Sequence, residues 1–491
     1  MRPWDFKILI RRKSTTPVYL QIVHSLIDEI RRGRLSSGAA LPGTRELAEG
    51  LELNRKTVVQ AYAELEAQGW VQSERTRGTF VSSHLPVVAP TARADGSQRS
   101  GMPEATDFRM IAEAPNIPLI LPTPNVLLFD DGAPDTRHVP VNALARAYRH
   151  ALARRARRNS LSYADPRGTL TLRSAVSSML NLDRGLFSTP DHICLTRGSQ
   201  MAIHVAARIL VGRGDTVVME ELSYPPARES FRFTGAEVVG VGLDSQGLRV
   251  DELERICRRR RVRAVYVTPH HQFPTTVLLP PARRLRLFAL ATQFGFAIIE
   301  DDYDHEFHFA HQPMLPLASA DPDGRVVYIG SMSKLLSPSL RLGYLAAPKS
   351  FIDRAAAEIM MIDRQGDPAT EEAVAELIAI GEVHRHTRRV LKIYRERREL
   401  LASLLREETA GKLDFDLPDG GLAVWVRFAD TIDLTRLTEL ARAERLHFLP
   451  GSAFALTPQR VQGARLGFAS LDSTELKRAA LRLGAALSKL H

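Results

Sequence analysis

Residues 326–344 read VVYIGSMSKLLSPSLRLGY. A short apolar run closes on glycine and serine, and Lys334 follows within four residues. The run is β-branched and bounded by turn residues, which predicts a buried strand. The same grammar occurs three times upstream. VVME (217–220) leads into ELSYPPAR with Tyr224, AVYVT (264–268) into PHHQFPTT, and AIIE (297–300) into Asp301, Asp302, Tyr303 and Asp304. Amphipathic stretches such as PPARRLRLFALATQFG (280–295) lie between them. This alternation predicts a mostly parallel sheet covered by helices. Ligands of such sheets sit beyond the carboxyl ends of the strands. One lysine, several carboxylates and several rings therefore converge on one rim.

That set has a chemical use. A lysine amine forms a Schiff base with an aldehyde. A carboxylate facing a pyridine nitrogen keeps it protonated and makes the ring an electron sink. An aromatic ring stacks on the pyridine, and a tyrosine hydroxyl can bond its ring oxygen. Thr196-Arg197-Gly198-Ser199-Gln200 opens a helix, whose free N–H groups can cradle a phosphate. Pyridoxal 5'-phosphate needs all of these parts. His270-His271 suggests a metal, but no third ligand is patterned nearby, so no metal is expected.

The amino-terminal segment has another character. Pro17 to Gly33 places Leu20, Val23, Ile27 and Ile30 at helical spacing. LPGTRELAEGL then offers Thr44 as an N-cap, and Asn54 can cap the helix of NRKTVVQAYAELEAQG. Two short helices joined by a tight turn suit a helix-turn-helix, whose second helix sets Arg55, Lys56 and Thr57 against bases and phosphates. WVQSERTRGTFVS supplies two β runs around Arg75 and Arg77, with Gly78 allowing the hairpin. Arginines at such a tip suit phosphate or minor-groove contact. Arg45 is a further candidate for DNA contact. A bare helical pattern also fits a small solvated domain; the full order of helix, helix-turn-helix and basic wing is the more specific signal.

Composition agrees with this division. The 491 residues are 44% hydrophobic and 25% charged, enough apolar matter for a large core. The net charge of +10 permits a polyanionic partner. Residues 1–82 hold 13 basic against 9 acidic side chains, so the excess is densest there. No stretch approaches the ~20 apolar residues of a membrane span, and the amino end has no apolar signal core. Cys194 and Cys257 stand far apart without metal spacing, as fits a reducing cytoplasm. Pro-, Ser- and Gly-rich sequence marks a linker between two domains. The predicted boundaries are 14–82 for a DNA-binding winged helix-turn-helix, 83–118 for a flexible linker and 119–491 for a cofactor-binding domain. Arg154-Arg155, Arg157-Arg158 and Arg258 to Arg261 read as solvated helix faces rather than a second DNA contact. Trp425 is expected in the core of the small subdomain.

The PVYLQI opening, LPGTRELA, NRKTVVQAY and the GTFV close resemble the GntR-type winged helix. Gly43 and Asn54 depart from it, standing where that family has serine. From about Leu121 onward the chain resembles a fold-type I aminotransferase, with a large α/β domain and a smaller α+β carboxyl-terminal subdomain. PHHQFPTT, AIIEDDYDHEFHF and GSMSKLLSPSLRLGY are most similar to the MocR/GabR regulators, in which a GntR-type domain precedes an aminotransferase-like one. The resemblance implies Lys334 as the Schiff-base lysine, Asp301 on the pyridine nitrogen, Tyr303 on the ring hydroxyl and Tyr224 stacked on the ring. It places Ser199, Gln200, Ser331 and Arg341 around the phosphate. Tyr163 matches the tyrosine that such dimers lend to the neighbouring subunit, and Arg465 the arginine that grips an amino acid carboxylate. Ala164 and Thr276 stand where the family has glycine, and Gly451 to Phe454 lack the arginine of members that sense γ-aminobutyrate.

The expected function is a cytoplasmic, pyridoxal-phosphate-dependent transcriptional regulator. It would bind operator DNA, sense an amino acid, an amine or the cofactor itself, and form a head-to-tail, domain-exchanged homodimer. The alternative is a working aminotransferase with an accessory DNA-binding domain.

Overall fold

The structure, a computed structural model, describes residues 14–74, 77–86, 123–309 and 314–490, with residues 8, 10, 11 and 117. Most of the predicted linker lies outside them, as does Arg75. The chain divides into two compact units, Met1–Ile111 and Ala112–His491.

In the first unit, α1 (Val18–Arg31) buries Ile22, Val23, Leu26, Ile27 and Ile30. The face is wider than the predicted stripe, and Leu20 at its edge is only half-buried. Helix α2 (Thr44–Gly50) begins one residue earlier than its predicted cap allows. Thr44 is the first helical residue, Gly43 occupies the N-cap, and no side chain caps that end. Asn54 does cap α3 (Arg55–Ala67), its side-chain oxygen accepting from the Lys56 N–H at 2.9 Å. Val58, Ala61, Tyr62 and Leu65 turn α3 inward, and the buried Tyr62 hydroxyl donates to the Pro42 carbonyl at 2.9 Å. Strands β1 (Val71–Glu74) and β2 (Gly78–Val81) pair antiparallel as the wing. Gly78 has φ +109°, a conformation that favours glycine.

The second unit is built on seven strands: β3 (Ile193–Thr196), β4 (Thr216–Glu220), β5 (Glu237–Val241), β6 (Val262–Val267), β7 (Ala297–Asp302), β8 (Val326–Ser331) and β9 (Gly343–Ala346). Their order is β3-β9-β8-β7-β6-β4-β5, with β9 antiparallel to both neighbours and the central pairings parallel. Valine and isoleucine fill both faces of the central strands, as a sheet covered on both sides requires. The four strands whose carboxyl ends carry the polar motifs are β4, β6, β7 and β8. Those four lie side by side, so their ends form the predicted rim.

A smaller antiparallel sheet joins β10 (Leu413–Phe415), β11 (Ala423–Phe428) and β12 (Gly463–Gly467). Val424 and Val426 of β11 enter the subdomain core. Trp425 between them faces the other way, in a separate cluster with Phe273 and Phe454. The expectation that it lies in the core of the small subdomain therefore needs correction; alternation along a strand sends it to the opposite face. No described helix is long and apolar enough to cross a membrane.

The basic runs are partly neutralised within the fold. Arg154 and Arg155 reach Glu372 at 3.2 and 2.9 Å, and Arg155 is buried rather than solvated. Arg258 pairs with Glu254 at 2.7 Å and Arg260 pairs with Glu237, whereas Arg259 and Arg261 are exposed.

Candidate functional site

The sheet rim holds a cavity of about 410 Å³, counted out to its mouth and lined by Asp131, Ser199, Tyr224, Tyr266, Thr268, Phe273, Asp301, Tyr303 and Lys334. Five of these are predicted site residues. Asp301 stands near the end of β7, and Tyr266 of the neighbouring β6 donates to its Oδ2 at 2.6 Å. Its other oxygen, Oδ1, is buried and has no hydrogen-bond partner among the described residues. Burial raises the Asp301 pKa to about 7; the Tyr266 bond opposes this, and Asp302 and Asp304 add to it. Lys334 follows β8 across a short turn, and its Nζ donates to the Gly132 carbonyl at 2.7 Å.

Tyr224 begins the helix Pro225–Phe233 and meets Phe273 edge to face at 5.4 Å. Burial drives its hydroxyl pKa up, so it stays a neutral ring. Tyr303 donates to the His271 carbonyl at 2.9 Å and accepts from Arg465 at 3.4 Å. Arg465, on β12, is 1% exposed. It donates to the carbonyls of Asp131 at 2.8 Å and Pro274 at 2.9 Å, and lies over the Phe273 ring. All of these acceptors are neutral.

Ser199 opens α4 (Ser199–Leu210) behind Gly198, whose φ is +79°. A Cβ at Gly198 would lie 3.0 Å from the Arg341 guanidinium, so that arginine rests against the helix start. Arg341 also donates to the Arg197 carbonyl at 2.8 Å. The Ser331 hydroxyl is buried and accepts from the Ser333 N–H at 3.1 Å.

Ser331, Arg341 and Arg465 lie outside the cavity lining, and two further predicted side chains are turned elsewhere. The Gln200 amide is turned to the Pro226 carbonyl and the Ser230 hydroxyl, both at 3.0 Å, leaving its backbone N–H as the part at the helix start. Tyr163 is 76% exposed, with the Arg364 guanidinium over its ring.

Sequence reasoning missed Tyr266, Phe273, Thr268, Asp131 and Gly132. Tyr266 is the one polar side chain in the aliphatic run AVYV, which was signal enough to mark it. Asp131 and Gly132 carried no strand or helix pattern to anchor them. The sequence patterns no third ligand near His270 and His271, but the fold brings distant residues close to them. Loops after β6 and β7 meet, so His305, His308 and Asp302 gather against them. Burial lowers the pKa of His270 to about 3 and of His308 to about 2, leaving neutral imidazoles.

In the first unit Arg45, Arg55, Lys56, Arg77 and Gly78 are exposed and Thr57 is half-exposed. Arg55, Lys56 and Thr57 form the first turn of α3. Arg77 lies against Phe80 and pairs with Glu74 at 3.2 Å.

Residues 124–483 match the aminotransferase class I and II family, and residues 18–81 match the gntR family of bacterial regulatory proteins. The chain is 31% identical over 475 residues to the probable rhizopine catabolism regulatory protein MocR of Rhizobium meliloti, covering 96% of this chain and 94% of that one. It is also 31% identical to the HTH-type transcriptional regulator TauR of Rhodobacter capsulatus, over 94% of each chain. Among solved structures, the α-aminoadipate aminotransferase LysN of Thermus thermophilus, complexed with N-(5'-phosphopyridoxyl)-L-leucine, superposes with a TM-score of 0.69. That match is 28% identical and covers 75% of this chain and 93% of LysN. By these matches the chain belongs to the aminotransferase class I and II family and, with its gntR-type amino-terminal unit, to the MocR type of helix-turn-helix transcriptional regulators.

Proposed function

We propose that the second unit binds pyridoxal 5'-phosphate and that its ligand state controls DNA binding by the first. The observation that carries the cofactor reading is the unpartnered Oδ1 of Asp301. A buried carboxylate oxygen without a donor is costly, and a protonated ring nitrogen in the cavity satisfies it. Lys334 lines the same cavity and supplies the amine that holds an aldehyde. Tyr224 and Phe273 offer aromatic faces, and Tyr303 offers a hydroxyl to the ring oxygen. The α4 start with Ser199 and the Gln200 N–H, together with Ser331 and Arg341, receives a phosphate dianion. Bound there, the cofactor supplies a reactive carbonyl carbon and an electron sink.

Arg465 is the effector-binding residue in this reading. Among the described residues it bonds only neutral oxygens. A buried guanidinium without a counter-ion favours an incoming carboxylate. Amino acids therefore head the candidate effectors, ahead of simple amines and the cofactor alone. For regulation, the effector must bind two arrangements of the protein with different affinity.

We place the DNA-binding domain at 14–82, the linker at 83–118 and the effector domain at 119–491. The exposed Tyr163 completes the phosphate site of a second copy in a head-to-tail homodimer, with the DNA-binding domains exchanged. The protein works in the cytoplasm. Light scattering checks the assembly, and a monomer mass at working concentration refutes it.

The test of the whole reading is a DNA footprint upstream of the gene and its neighbours, with and without pyridoxal phosphate and amino acids. Protection that responds to neither overturns it. A second reading, an active aminotransferase, has Lys334, Asp301 and Arg465 in its favour. Sustained turnover with amino donors and keto acceptors would support it, and a single half-reaction would not.

A further inference from the structure

Behind the rim, on the sheet face opposite Asp301, four imidazoles and two carboxylates are packed together. The His270 ring lies 4.7–4.9 Å from the rings of His271, His305 and His308. His270, Asp302 and His305 are each buried, and one ligand atom of each lies within 4.8 Å of the others. The His270 Nδ1 and Asp302 Oδ1 atoms are both buried without a hydrogen-bond partner. Two orphaned polar atoms on neighbouring side chains are expensive in a protein interior. His305 Nδ1 lies 2.9 Å from Asp302 Oδ2, so these two groups are already held together.

We propose that His270, Asp302 and His305 bind one divalent transition-metal ion of the zinc class. Imidazole and carboxylate are the donors such an ion takes, and its ligand atoms lie about 3.3–3.6 Å apart in a tetrahedral site. Small side-chain adjustments bring the three groups from their present separation to that one. The outer contacts already suit the role. His270 Nε2 lies 3.2 Å from His308 Nδ1, and with His270 Nε2 as the donor there, His270 Nδ1 is left as a lone pair. Tyr328 donates to Asp302 Oδ2 at 2.7 Å and fixes the carboxylate. Three protein ligands leave a fourth position for water.

Asp302 follows Asp301 on β7, and His270 follows β6, so the ion would clamp together the two strand ends that carry Asp301 and Tyr266. Its role is to brace the cofactor cavity from behind. It is not a catalytic metal, because side chains alternate across the sheet and the ion lies on the far face from Lys334.

The experiment uses the untagged full-length protein, loaded with pyridoxal phosphate, stripped of metal with dipicolinate and freed of excess reagent by desalting. Zinc alone is added, and bound metal is counted by plasma mass spectrometry; cobalt(II) is added in parallel for its visible absorption bands. The wild type is expected to bind one ion per chain, to melt at a higher temperature with zinc, and to give a tetrahedral cobalt spectrum. His305→Ala should lose the ion, and His308→Ala should weaken it by about tenfold. Both should keep the colour of the bound cofactor. Wild-type protein that binds no zinc or cobalt overturns the proposal, as does equal stoichiometry in wild type and His305→Ala. Loss on His308→Ala but not on His305→Ala overturns this ligand set. Should His305→Ala fail to fold, His305→Gln replaces it, and the wild-type stoichiometry and cobalt spectrum still decide.

Discussion

The wing and recognition helix of the first unit and the rim cavity of the second treat charge in opposite ways. Arg45, Arg55, Lys56 and Arg77 stand in solvent, where a charged side chain costs little to keep. Asp301 is buried in the cavity wall, and burial raises its pKa to about 7. An exposed cation gives its energy to the partner through released counter-ions. A buried carboxylate is destabilising until its partner arrives. The first surface can therefore meet any polyanion, whereas the second accepts only a group that satisfies its unpaired atoms.

The contrast breaks most completely at Lys334. Lys334→Ala should abolish the visible absorption of bound pyridoxal phosphate while DNA affinity in the absence of effector stays within about twofold. Absorbance and fluorescence anisotropy measure the two separately. Persistence of the band in the variant would mean that another amine holds the aldehyde.

Next in size is the pH response of the cofactor-free chain. The folded pKa of Asp301 lies above that of an unfolded aspartate, so its stabilising share is complete below about pH 4 and is lost as pH rises toward about 7. Asp301→Asn should remove up to about 1.4 kcal/mol per pH unit of that decline. Denaturant midpoints of both proteins between pH 4 and 7 give the difference. With the cofactor bound, the ring nitrogen favours the ionised carboxylate and the slope should flatten. Parallel curves for the two cofactor-free proteins would show that Asp301 is ionised throughout.

Smaller again is the effect at the DNA surface. Arg55→Ala and Arg77→Ala should each weaken operator binding by about tenfold and lower the salt slope by about one. Both should leave the cofactor colour untouched. Neutralising Arg259 and Arg261 should leave the salt slope as it was. A loss there as large as at Arg55 would make the Arg258 to Arg261 run a second DNA contact.

The two units also differ in how much of them the sequence made legible. In the first, periodicity and caps are local, so the helices and hairpin could be placed from spacing alone; Thr44 slipped by one residue because Gly43 takes the extended cap conformation instead. In the second, the strand runs and their polar ends marked the rim, and five predicted residues line the cavity. What stayed hidden depends on distant parts of the chain. Gly132, which accepts from Lys334, is 202 residues away from it. His270 and His308 meet because two parallel strands end side by side. No periodicity along the chain encodes such meetings. The bonds of the Gln200 side chain to Pro226 and Ser230 were equally hidden, because they join a helix start to a neighbouring helix.

The smallest expected effect compares two departures from the family pattern, one in each unit. Asn54 replaces a capping serine and still accepts a backbone N–H, so no cost follows. Thr276 replaces a glycine and adopts φ +64°, a left-handed conformation in which a β-branched residue crowds its own backbone. Its N–H is held by the Gln272 carbonyl at 2.6 Å, so the turn cannot readily relax. Relief of that crowding is worth about 1 kcal/mol, and the greater freedom of glycine in the unfolded chain takes back about half. Thr276→Gly should therefore raise the urea midpoint of the second unit by the equivalent of about 0.5 kcal/mol, whereas Asn54→Ser should change nothing measurable in the first. Thr276→Val, equally branched, should give no gain. If glycine and valine shift the midpoint alike, the cost of the turn lies in the Gln272–Val277 hydrogen-bonded loop rather than in the branch of the side chain.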